Sequence, residues 1–379
     1  MALVFILLLV AFFVFAPRVA DWRLNRVYIK PPYQAAGESR EVHEGVLVAD
    51  LHSDFLLWKR DLLRRHSYGH VDLPRLIEGN VSVQVFSVVT KAPRGRNYQE
   101  TEDRSDNVTW LQIAQLRPPS TWTSLYARAL YQARRLHDAE RRSQGRLVIL
   151  RKAEDLERHL DRRAAGSKSV AGLLALEGLH ALEGDESRVE MLFETGFRMM
   201  APVHMFDNDV AGASSGVEKY GLTPFGRRVL ARMEALGVIV DLAHASPRTF
   251  DEVLDAVSRP VVVSHAGVRA TYDSPRNLSD GQIRRLASGG GIVGIGCWDQ
   301  AIGGSRPEDV VRAIRHVVDL VGIDHVALGT DFDGTVRTVF DASGYILLTE
   351  ALLKAGFSDE DVRLVMGGNV IRLLASLLP

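Results

Sequence analysis

Eight short apolar runs, separated by longer amphipathic stretches, limit what this chain can fold into. They occupy residues 46–49, 81–86, 173–176, 197–201, 238–242, 261–263, 292–295 and 326–328. Several are apolar almost throughout, as parallel strands covered on both faces must be. Helix starts fill the gaps. Thr223-Pro224, Ser246-Pro247 and Arg306-Pro307 each place Pro at a first helical position. Ser279 with Gln282 forms a capping box ahead of Ile283 and Leu286. A further helix is expected near residues 120–142, inside the long excursion at 90–170, and two more close the chain from Ser358 and after Gly367-Gly368. Strands alternating with helices predict an α/β fold: a (β/α)8 barrel of TIM type in one large domain, with an open doubly wound sheet as the alternative.

The N-terminus reads differently. Residues 2–17 are uncharged and almost wholly apolar, and Arg18 is the first charged side chain. Sixteen helical residues would span ~24 Å, slightly short of the ~30 Å hydrocarbon core. A signal peptide would carry a basic leading region and a small-x-small cleavage site, and here Pro17 follows Ala16 instead. The expectation is an N-terminal hydrophobic helix at 1–17 acting as a single-pass membrane anchor, with a cleaved signal segment as the alternative. A linker at 18–44 and the barrel at 45–379 would follow. Arg18, Arg23, Arg26 and Lys30 lie just after the apolar run, which favours a cytoplasmic domain.

Charge and cysteine content narrow the chemistry. The formal net charge is −1 and no Lys/Arg stripe dominates, so nucleic acid is excluded as a partner. Cys297 is the only cysteine, which rules out an intrachain disulfide and a thiolate zinc cluster. Any metal must be held by His, Asp and Glu.

Those residue types recur where the apolar runs end. His52 and Asp54 follow the first, Glu177 the third and His204 the fourth. His244 closes the fifth, His265 the sixth, and Asp331 follows the eighth. In a (β/α)8 barrel all C-terminal strand ends meet at one face, so residues far apart in sequence converge. The His-x-Asp spacing of His52 and Asp54 matches the two-residue period of a strand and can aim both side chains at one metal. Imidazoles and carboxylates together suit zinc in open, hydrolytic sites. Any one of these residues alone is more often structural, but six strand ends so equipped are not explained by packing. His66, His70, His180, His316 and His325 read as ordinary polar residues, Asp241 as a supporting one, and Asp333 as a cap of the turn at Gly334. Nothing supports a nucleophile role for Cys297.

The wording of the motifs resembles the membrane (renal-type) dipeptidase family of the amidohydrolase superfamily. The resemblance rests on Asp50-Leu51-His52-Ser53-Asp54, Leu176-Glu177-Gly178-Leu179-His180, Gly221-Leu222-Thr223-Pro224-Phe225-Gly226, Asp241-Leu242-Ala243-His244, Ser264-His265, Arg276-Asn277 and Asp331-Phe332-Asp333-Gly334. It covers most of the chain from about residue 50 to 334. It implies a zinc-dependent dipeptidase acting through a metal-bridging hydroxide, with two Zn(2+) per chain. His52 and Asp54 would bind one ion, His244 and His265 the other, and Glu177 would bridge them. His204 and Arg276 would bind substrate, and Asp331 would act with them in catalysis. Leu51, Ser53 and Leu179 depart from common family residues beside the ligands. The resemblance also favours an exported, extracytoplasmic domain, and a homodimer is allowed for. The alternatives are a related two-zinc amidohydrolase acting on another small amide, such as an acylated amino acid or a β-lactam, and a non-catalytic membrane-tethered binding protein.

Overall fold

The computed structural model describes residues 2–379, with side chains from Phe12 onward. Each of the eight apolar runs overlaps a strand, with ends that differ by up to three residues: β1 Val48–Asp50, β2 Val81–Val89, β3 Val170–Glu177 and β4 Phe197–Ala201. β5 Ile239–Val240, β6 Val262–Ala266, β7 Ile292–Ile295 and β8 Val326–Leu328 complete the set. They form a parallel sheet in the order β5-β4-β3-β2-β1-β8-β7-β6. The two ends of that order meet through a parallel bridge between Asp241 and Val262, with Leu242 N donating to Val262 O at 2.8 Å. The sheet therefore closes on itself, and the open-sheet alternative falls away.

Side-chain alternation divides the interior into two layers. Ala171, Leu173 and Ala175 of β3 join Val83, Val85, Met199, Ile239 and Ile292 inside the ring. Val170, Leu174 and Leu176 face outward into the larger cluster beneath the helices. Continuing the two-residue period, Glu177 shares the inner face of Ala171 and Leu173 and ends β3 pointing into the barrel mouth. Between Val263 and Ala266 the pairing of β6 with β7 shifts register. Such an irregularity re-aims side chains, and it lies where His265 must turn inward.

The helix starts form as their caps dictate. Thr223 Oγ1 accepts Gly226 N ahead of Pro224–Leu236, and Ser246 Oγ accepts Thr249 N ahead of Pro247–Ala256. The Ser279–Gln282 box opens Asp280–Ser288, and Pro307–Val321 follows Arg306. The long excursion holds Asn107–Ala114, Ser120–Thr123 and Leu125–Arg142, while Asp359–Arg363 and Asn369–Leu377 close the chain.

The N-terminal expectation requires correction. Among the described residues no helix is long and apolar enough to cross a membrane. The single-pass anchor is not found, and the extracytoplasmic membrane placement built on it goes with it. Residues 1–11 of the expected anchor lie outside the residues whose side chains are described. The helix Ala2–Leu24 does not stop at Pro17. It runs on through charged residues that are tied to the barrel, with Asp21 buried and Arg60 Nε donating to it at 2.8 Å. The stretch 18–44, expected as a linker, carries regular structure as well. Arg26–Val27 pairs with Arg337–Thr338, and Gly37–Glu44 is helical, with His43 Nδ1 2.8 Å from Thr349 Oγ1. Its charges and prolines gave no period because its pairing partners lie more than 300 residues away.

Asp50 fastens β1 to β8 at the level of the mouth. Its buried carboxylate accepts Thr330 N at 2.9 Å, Tyr345 OH at 2.7 Å and His52 N at 3.2 Å. Removing an acceptor that satisfies several buried donors costs about 3 kcal/mol. Asp50→Ala is expected to lower unfolding stability by about that amount in urea titration, and Tyr345→Phe by about 1 kcal/mol.

Candidate metal centre

All eight residues singled out at the strand ends and in the loop after β6 come together at the barrel mouth. His52, Asp54, Glu177, His204, His244, His265, Arg276 and Asp331 are all buried, Asp331 the most open of them. Glu177 stands in the middle and divides its oxygens. Its Oε1 lies 3.0 Å from His244 Nε2 and 3.4 Å from His265 Nε2. Its Oε2 lies 3.8 Å from His52 Nε2 and 3.5 Å from His204 Nε2. His52 Nε2 is in turn 3.4 Å from Asp54 Oδ1 and 3.9 Å from Asp331 Oδ1, and the Nε2 atoms of His244 and His265 are 3.0 Å apart.

Three overlapping donor groups result: His52 with Asp54 and Glu177, Glu177 with His204 and His244, and His52 with His265 and Asp331. His204 and Asp331, which the family resemblance assigns to substrate and catalysis, thus lie as close to the shared donors as the expected ligands do.

The surroundings aim these donors. His244 and Asp331 adopt left-handed backbone conformations, with φ of 64° and 59°. Non-glycine residues seldom take that shape, and it recurs where a site is held by its surroundings. Asp241 Oδ1 accepts both Ala243 N at 2.9 Å and Ser264 N at 2.8 Å, joining the loops that carry His244 and His265. Ser264 Oγ then sits 2.9 Å from His265 Nδ1 and 3.4 Å from His52 Nδ1. Engaging the Nδ1 atoms leaves both Nε2 atoms for a metal. Asp54 is fixed through its backbone, its N–H donating to Phe332 O at 2.8 Å.

The donor set fits cations. His52 Nε2, Asp54 Oδ1 and Glu177 Oε1 are buried without a hydrogen-bond partner, and such groups are costly unless something else satisfies them. Burial drives the Glu177 carboxyl well above its usual range and the His204, His244 and His265 imidazoles well below theirs. Burial also lifts Asp331, to about 7, against the pull of His52. Burial opposes a proton on His52 as well, yet Glu177, Asp54 and Asp331 together raise it to about 10. Protons distributed among so many crowded, buried donors are a poor substitute for dications.

Arg276 enters from the loop after β6. Its guanidinium donates to His265 O at 2.6 Å and lines the same cleft, which has a volume of about 810 Å³. The residues set aside as ordinary behave so. His180 Nε2 meets Thr90 Oγ1 at 3.0 Å, His316 Nε2 meets Asp280 Oδ1 at 2.8 Å, His325 Nδ1 meets Gly291 O at 2.9 Å, and His66 Nε2 meets Asp61 O at 3.0 Å. Asp333 does not cap the turn at Gly334. It accepts His70 N at 2.7 Å and Val71 N at 3.2 Å, and Arg60 sits 2.6 Å from its second oxygen. Burial pushes the Cys297 thiol up, away from a nucleophilic thiolate.

Sequence reasoning gave Ser264 no role of its own and missed Trp58, Tyr98 and Trp298. Ser264 carried a signal, directly preceding His265. The other three line the cleft, and the Trp298 indole donates to Tyr98 OH at 3.0 Å. No pattern marks an aromatic that reaches a cleft from a loop.

Comparison with known proteins agrees with this architecture. Residues 37–377 match the family model described as membrane dipeptidase, peptidase family M19. The chain is 31% identical over 358 residues to dipeptidase tcpJ of Claviceps purpurea, covering 91% of this chain and 79% of that one. Dipeptidase aclJ of Aspergillus oryzae is 29% identical, with 88% and 78% covered. A crystal structure of the metallopeptidase dipeptidase AC superposes with a TM-score of 0.72 at 27% identity, covering 88% of this chain and 99% of that one. A metallopeptidase of Rhodobacter sphaeroides, liganded with a phosphinate mimic of L-Ala-D-Ala, gives 0.70 at 25% identity with the same coverage. The chain belongs to the membrane dipeptidase family, peptidase family M19, and is a metal-dependent peptide-bond hydrolase.

Proposed function

We propose that this dipeptidase works with two zinc ions bridged by Glu177. His52 and Asp54 hold one ion, and His244 and His265 hold the other. One observation carries the reading: Glu177 offers Oε1 to the His244–His265 pair and Oε2 to the His52 side, as a bridging carboxylate would. The absence of cysteine from the cluster agrees with the nitrogen and oxygen donors of hydrolytic zinc sites. Bound zinc supplies a Lewis acid and lowers the pKa of water toward ~7.

The protein supplies positioning and proton management. The planar fork of Arg276 suits the free carboxylate of a dipeptide. Its bond to His265 O holds it in fixed relation to the His265 ligand. His204 donates an N–H to the oxygen of the scissile carbonyl as negative charge gathers there. Asp331 takes a proton from the attacking water and passes it to the departing amine. Burial of the whole set strengthens each interaction relative to bulk water.

Atomic emission should find two zinc ions per wild-type chain and fewer than one in Glu177→Gln, with dipeptide hydrolysis reduced at least ~1000-fold. A zinc-free preparation retaining full activity would sink the scheme. Arg276→Ala should raise KM at least ~10-fold while kcat stays within about threefold, since the clamp binds ground and transition states alike. A fall in kcat alone, with KM unchanged, would remove Arg276 from the carboxylate role. An acylated amino acid and a β-lactam belong in the same assays, and hydrolysis of either in preference to every dipeptide would reassign the substrate.

A further inference from the structure

The cleft over the metal donors has a wall that the family match does not include. The matched region begins at residue 37, yet Ala16, Pro17, Ala20 and Leu24 of the helix Ala2–Leu24 line the same cleft as Glu177, Arg276 and Asp331. Positions 16, 20 and 24 recur every four residues and so share one helix face. Trp58 and Leu111 line the cleft as well. The wall is a built part of the fold. Asp21 is buried and bonded to Arg60, and Arg60 continues to Asp333 at 2.6 Å. Asn25 adds a second tie, its Oδ1 accepting Thr335 N at 2.9 Å. Both ties end on the loop that carries Asp331, so the helix is keyed to the catalytic face.

The wall and the proposed carboxylate clamp lie on different flanks. Arg276 follows β6. Trp58 follows β1, Leu111 lies in the helix Asn107–Ala114 after β2, and the helix is tied to the loop after β8. In the ring, β6 is separated from β1 by β7 and β8. A dipeptide held by its carboxylate at Arg276, with its peptide bond at the metal donors, therefore directs its amino-terminal residue toward the wall. Two alanines on that face leave room that a larger residue would fill. At about 810 Å³ the cleft is in the upper part of the range for drug-sized ligands, ~300–1,000 Å³.

We infer that the N-terminal helix forms a specificity subsite for a large apolar side chain on the first residue of the dipeptide. This rests on the dipeptidase reading above, and the test separates the two. Values of kcat/KM are measured for Phe-Ala, Ala-Phe and Ala-Ala with the zinc-loaded full chain and with Ala20→Trp and Leu24→Ala. The wild type should favour Phe-Ala over Ala-Ala at least ~10-fold, with no such gain for Ala-Phe. Ala20→Trp, which fills the space, should reduce the Phe-Ala to Ala-Ala ratio about tenfold. Leu24→Ala, which thins the wall without crowding it, should reduce it about threefold and covers the case in which the tryptophan disturbs folding. Hydrolysis of all three peptides without preference, a preference at the second residue, or a ratio unmoved by either substitution would overturn the subsite while leaving the dipeptidase reading intact. Failure to hydrolyse any of the three would instead bring down the parent reading and the subsite with it.

Discussion

A carboxylate buried in protein must be paired, protonated or bound to metal, because the cost of stripping it of water is several kcal/mol. Glu177 ends an otherwise apolar strand and is nearly inaccessible, and no cationic side chain of Lys or Arg contacts it among the described residues. What surrounds it instead is a ring of imidazoles, three of which burial keeps from taking a proton. The rest of the mouth can be understood from that constraint. Asp54 and Asp331 add further carboxylates beside His52, and their charge disfavours the ionised form of Glu177 in an all-protein site. The same charges are favourable once dications share the space.

Holding such a site together falls to groups that never touch a substrate. Asp50 binds β1 to β8, Asp241 binds the loop of His244 to that of His265, and Ser264 steadies two imidazoles at once. Each is buried and each uses a short polar side chain to satisfy backbone or ring nitrogens. The left-handed turns at His244 and Asp331 each come directly after a residue so bonded, Ala243 to Asp241 and Thr330 to Asp50.

The barrel was legible because its strands are covered on both faces and read as uninterrupted apolar runs. Its helices were legible because Ser, Thr and Pro mark their starts. The site was legible for a related reason: His, Asp and Glu sit at strand ends, where barrel topology collects them. Motif resemblance then attached a role to each. What escaped notice depended on distant contacts. The pairing of Arg26–Val27 with Arg337–Thr338 leaves no local period. The reach of Tyr98 and Trp298 into the cleft follows from loop paths. The apolar run at 2–17 misled for a physical reason too. Hydrophobicity says that a segment avoids water, and it does not say whether lipid or protein covers it. At its C-terminal end the helix meets protein through Asp21 and Arg60.

The donors that surround Glu177 are drawn from almost the whole length of the barrel. Asp50 and Thr330, which frame the first and last of them, are 280 residues apart and hydrogen-bonded. During synthesis, His52, Asp54 and Glu177 emerge long before Asp331, yet the cluster exists only after β8 has closed the ring beside β1. On the proposed ligand set, a complete metal site would need strand ends from β1 through β6 brought together at one mouth. A form lacking one of those strand ends would offer only part of that ligand set. Ions bound there would stabilise the folded barrel over any form in which those strand ends are apart.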